Sequence, residues 1–76
     1  MQENLFYIFS IYTIAYLKSM GINPVKVEKS DKSNKVMYWF ENNEDFKKAL
    51  NDYNNDWKIQ RFINSYKIVK DEMFNI

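Results

Sequence analysis

Lys35-Val36-Met37-Tyr38-Trp39-Phe40-Glu41 is the stretch on which the fold turns. Five β-branched, aromatic or otherwise apolar residues between two charges read as a strand. A strand sends alternate side chains to opposite faces, so Val36, Tyr38 and Phe40 point one way and Met37 and Trp39 the other. Both sets are apolar. The reading is therefore a central strand with something packed on each face.

Working outward, Val25-Lys26-Val27-Glu28-Lys29 alternates apolar and charged residues, the pattern of an edge strand with one buried face. Ser30-Asp31-Lys32-Ser33-Asn34 reads as the polar loop joining it to the central strand. Upstream, Leu5 to Leu17 is nearly unbroken apolar sequence. Gln2, Glu3 and Asn4 lack the positive charge of a signal peptide, and thirteen residues are too few for a span of about 20. The segment reads instead as strand Leu5–Phe9 and a helix, with Ser10 as N-cap and Gly21 as the C′ residue. Ile11, Ile14, Ala15 and Leu17 are expected on its buried face. Tyr12 and Tyr16 are expected to pack on each other or on the sheet rim. Lys18 falls inside the apolar arc, where its stem can snorkel.

Downstream, Asn42 and Asn43 start a helix whose first turn carries Glu44 and Asp45, complementing its positive end. Phe46, Ala49, Leu50, Tyr53 and Trp57 form the clearest helical stripe. Asn54-Asn55-Asp56 breaks the run, and Asp56 caps a last helix from about Trp57 to Phe74. Its stripe is Ile59, Phe62, Ile63, Tyr66, Val69 and Met73.

The order is βαββαα in one domain, residues 1–76. A right-handed crossover places strand one beside strand three. The expected fold class is α+β: a three-stranded antiparallel sheet of order 2-3-1, packed with three helices.

Composition excludes more than it selects. The chain has no Cys and no His, which removes disulfides, the usual zinc and copper ligands and any Ser-His or Cys-His nucleophile. A single Gly cannot form a phosphate loop. Glu44 with Asp45, and Asp71 with Glu72, are neighbours that diverge around a helix, whereas acid–base work needs convergent groups. The expectation is a chain that is not an enzyme and carries no metal or cofactor. Lys, Asn, Ile, Phe and Tyr supply 40 of 76 residues, which reads as the codon bias of an AT-rich genome.

Net charge is +1, with 11 basic against 10 acidic residues, so nothing global steers the chain to nucleic acid or anionic membrane. Helices commonly cover both faces of a sheet, so burial beneath the last helix is the first expectation for Met37 and Trp39. If every helix lies on one side, these two project from the other, joined by Tyr7, and mark a protein interaction surface. An alternative is a single-stranded nucleic-acid binder that stacks bases on the sheet beside Lys26, Lys29, Lys32 and Lys35.

Phe6-Tyr7-Ile8-Phe9-Ser10 leading to Ala15-Tyr16-Leu17 and Gly21, then Lys35–Glu41, then Phe62-Ile63-Asn64-Ser65-Tyr66-Lys67 resembles a family of short uncharacterised proteins. Its members occur in bacteriophages and prophages, many of AT-rich Firmicutes, and are catalogued as a domain of unknown function. Ile22 and Trp39 depart from that family's pattern, which has a phenylalanine-type and an aliphatic residue there. The second departure marks Trp39 as a candidate for a surface specialised in this member. The resemblance implies a phage or mobile-element protein in the bacterial cytoplasm. It implies stoichiometric action by binding itself or a host protein, inhibitors of host defence included.

Overall fold

The computed structural model describes residues 4–32 and 34–76. Its elements are β1 (Leu5–Ile8), α1 (Ile11–Ser19), β2 (Lys26–Lys29), β3 (Val36–Glu41), α2 (Glu44–Asn55) and α3 (Trp57–Phe74). The strands form one antiparallel sheet ordered β1-β3-β2, which is 2-3-1 read from the opposite rim. Of the expected β2–β3 loop, Ser33 lies outside the described residues.

The helix ends are written in short polar side chains. Ser10 accepts the Thr13 N–H at 3.5 Å, and Asn43 Oδ1 accepts the Phe46 N–H at 2.9 Å. Asp56 Oδ1 accepts both the Lys58 and Ile59 N–H groups at 3.1 Å. Each satisfies donors that a helix start leaves without partners. At the end of α1, Gly21 takes φ +84°. Its N–H donates to Lys18 O at 3.0 Å and that of Ile22 to Leu17 O at 2.9 Å, the paired bonds of a Schellman turn. The turn delivers Ile22 onto the core.

That core lies on the Val36, Tyr38, Phe40 side of β3. Ile8, Ile14, Leu17, Phe40, Phe46 and Ala49 form one buried cluster, with Tyr38 and Leu50 packed against it. Phe46 of α2 stacks on Phe40 at 5.5 Å and touches Phe6 at 5.9 Å. Fully burying a side chain of this size stabilises by roughly 1.5–3 kcal/mol, so Leu17, Phe40 and Phe46, the most completely buried, dominate the fold.

Elsewhere the structure departs from the periodicity. On α1 only Ile14 and Leu17 are buried; Ile11 and Ala15 are exposed. Tyr12 and Tyr16 do not meet each other. Tyr12 packs edge-on to Tyr66 of α3 at 5.9 Å and Tyr16 on Tyr53 of α2 at 5.3 Å. Lys18 is exposed. The valines of the β2 segment, Val25 and Val27, stay exposed because the buried cluster is built on β1 and β3. Trp57 leaves the α2 stripe because Asp56 restarts the chain in a new direction, and its side chain is exposed.

The largest departure is α3. Of its expected stripe only Ile63 is buried and Ile59 half-buried; Phe62, Tyr66, Val69 and Met73 are exposed. The helix leans on the other helices rather than covering the sheet. Gln60 Nε2 donates to Tyr53 O at 2.7 Å, and Lys67 sits over the Tyr12 ring at 5.2 Å. The radius of gyration is accordingly 14.5 Å, against about 11 Å for a compact domain of this length.

Candidate functional site

With α1 and α2 on the Phe40 side, the opposite face of the sheet is built, among the described residues, from β1, β2 and β3 alone. Antiparallel pairing sets Tyr7 of β1 and Lys26 of β2 on either side of Trp39, and Glu28 beside Met37. Directly opposed residues share a face, so register alone brings these side chains together. The Tyr7 and Trp39 rings lie 5.2 Å apart, tilted by 56°. Lys26 Nζ stands 5.3 Å from the Trp39 ring centre, within cation–π range. The indole N–H of Trp39 donates to Glu28 Oε1 at 3.0 Å, and the same oxygen lies 4.0 Å from Lys26 Nζ. Just past β1, Phe9 stacks on Tyr7 at 6.0 Å and carries Lys35 Nζ at 4.5 Å from its ring centre.

The result is an aromatic ridge, Phe9-Tyr7-Trp39, with one ion pair along its β2 side. Tyr7 is 46% exposed. Met37 and Trp39 are half-buried by their neighbours within the sheet. The last helix does not cover them, so the expected burial beneath α3 gives way to the alternative of a face without a helix. The arrangement is amphipathic, offering exposed aromatic rings tilted against one another beside an indole N–H that donates to Glu28. Such a surface suits recognition.

The four lysines of the nucleic-acid alternative do not gather. Lys26 lies on the ridge face, whereas Lys29 pairs with Val36 and shares the opposite side. Lys35 is drawn to Phe9, and Lys32 belongs to the loop. The sequence reading missed Glu28 and Phe9. The alternation in 25–29 already placed Lys26 and Glu28 on one face; the register of the β2–β3 pair was the missing piece.

Asp45 and Asp52 line one shallow depression next to Gly21, where Lys48 pairs with Asp52 at 3.6 Å across one helical turn. Among the described residues no three His, Cys, Asp or Glu side chains gather as a metal would require, and no helix is long and apolar enough to cross a membrane.

Fold and surface together define a small α+β domain with its two larger-packing helices on one side of a three-stranded antiparallel sheet. The chain belongs to the family described as a domain of unknown function, DUF5659, whose model matches residues 3–75. No curated protein and no solved structure matches it.

Proposed function

We propose that the chain is a non-enzymatic protein-binding module that acts stoichiometrically, with Tyr7, Met37 and Trp39 at the contact. The observation behind this reading is the helix-free sheet face whose centre is a tryptophan framed by tyrosine and lysine. Aromatic anchors of this kind dominate binding energy at protein interfaces. Under the phage or prophage context that the sequence resemblance implies, the partner is a protein of the bacterial host, and blocking a host-defence protein is one form that binding takes. The test is capture of a partner from host lysate by the tagged chain, repeated with Trp39→Ala and Tyr7→Ala. Loss of the captured protein in both variants, with unchanged circular dichroism, supports the reading. Retention in both removes it.

A single-stranded nucleic acid stacking on Trp39 is the second reading, favoured by Lys26 beside that ring. It requires a salt-sensitive oligonucleotide shift that Trp39→Ala abolishes. No shift at low salt eliminates it.

A further inference from the structure

We infer that α3 is the self-association element of this protein, pairing antiparallel with α3 of a second copy. This surface is separate from the sheet face. Two features of α3 suit it to this role.

The first is an apolar seam turned outward. Ile59, Phe62, Tyr66, Val69 and Met73 follow the alternating three- and four-residue spacing of a heptad seam. Phe62 is 70% and Met73 72% exposed, and Tyr66 and Val69 remain 47% and 46% exposed. Ile63, roughly a quarter-turn away, is buried against the chain, and Gln60 and Lys67 hold α3 there as well. The seam is therefore held in place, with Tyr66 touching Tyr12 and Ile59 half-buried, yet most of it stays exposed. An 18-residue helix runs about 27 Å, and Phe62 and Tyr66 also share a groove with Ile11, Tyr12, Ala15 and Lys70.

The second feature selects the occupant. The flank of the seam turned away from Ile63 carries Lys58, Ser65 and Glu72, all exposed and spaced one heptad apart. This sequence is positive, neutral, negative from start to end. A two-fold axis perpendicular to the helices maps this flank onto the same flank of the second copy. With the axis near Ser65, Lys58 meets the second copy's Glu72, its Lys58 meets Glu72, and the two serines face each other. In the same register Phe62 packs with Tyr66 and Ile59 with Val69 of the other copy, each layer occurring twice.

The Asp56 carboxylate already complements the start of α3, but the charges at its other end run against the dipole. A helix favours acids in its first turn and bases in its last. Here the last turn has no base and carries Asp71 and Glu72 instead. An antiparallel neighbour corrects this by bringing the second copy's Lys58 ammonium to that end. A parallel pair in register sets like end against like end and does not. Neither Lys58 nor Glu72 has an oppositely charged partner within its own chain among the described residues.

The experiment is the solution mass of the full chain by light scattering and sedimentation equilibrium over a concentration series. A reversible two-copy species is expected. Phe62→Glu should reduce it to one copy with unchanged circular dichroism. Lys58→Glu and Glu72→Lys should each weaken association about ten-fold, and the double variant Lys58→Glu/Glu72→Lys should recover most of that loss. A single copy at every concentration overturns the inference. So does a dimer indifferent to Phe62→Glu, or a double reversal no tighter than its parents. Trp39→Ala should leave the dimer intact. Self-association lost in Trp39→Ala but kept in Phe62→Glu overturns α3 as the element and moves the contact to the sheet.

Discussion

Trp39 and Phe40 are neighbours in one strand, yet their surroundings share almost nothing. Phe40 is sealed under Phe46 of α2 within the core, while Trp39 is steadied by Tyr7, Lys26 and Glu28 on the other face of the sheet. The strand's alternation divides labour between adjacent residues. One side makes the molecule stable, and the other offers a shaped surface whose loss the fold should tolerate.

Substitutions can break this division. Phe40→Ala should cost about 3–5 kcal/mol through the cavity it leaves. A chain of this length has about 4–11 kcal/mol in total, so urea titration should find the variant largely or wholly unfolded. A Phe40→Ala protein no less stable than Trp39→Ala would end the comparison. Gly21→Ala belongs to the sealed side, since the turn it makes seats Ile22. No atom lies within 4 Å of the added Cβ, so the cost is the positive φ alone. About 1–2 kcal/mol is expected, with partner binding unchanged in the folded fraction.

Trp39→Ala should lower stability by about 2 kcal/mol, the worth of its contacts with Tyr7 and Lys26 and its hydrogen bond to Glu28. Its effect on partner capture should be far larger. Glu28→Gln is the finest probe. It keeps an acceptor for the indole N–H but removes the charge near Lys26, so thermal unfolding should barely move, by less than about 0.5 kcal/mol. Any change in partner affinity then reports on electrostatics at the ridge.

The same division explains what the sequence made legible. Local chemistry was readable: Ser10, Asn43 and Asp56 as caps, Gly21 as the turn, and β3 as the middle strand all follow from side-chain size, polarity or backbone preference. Periodicity also identified Phe46, Ala49 and Tyr53 as the buried face of α2. It failed where apolar spacing had to say which element does the covering. Ile11, Val27 and Phe62 each sit in a pattern that looks buried, and each is exposed because the neighbour that would cover it packs elsewhere. Of the ridge, Tyr7, Met37 and Trp39 were readable from alternation. Glu28's acceptance of the Trp39 N–H was not, because pairing register across a loop is a tertiary property.

The two tryptophans supply a built-in spectroscopic contrast. Trp39 emits from among an ammonium, a carboxylate and a phenol ring, whereas Trp57 stands exposed at the α2–α3 junction beside Lys58. Replacing Trp57 with Phe leaves a lone emitter on the ridge, whose colour and quenching register occupancy of that face. Replacing Trp39 instead leaves a reporter near the start of α3, so each surface can be followed by light without attaching a label.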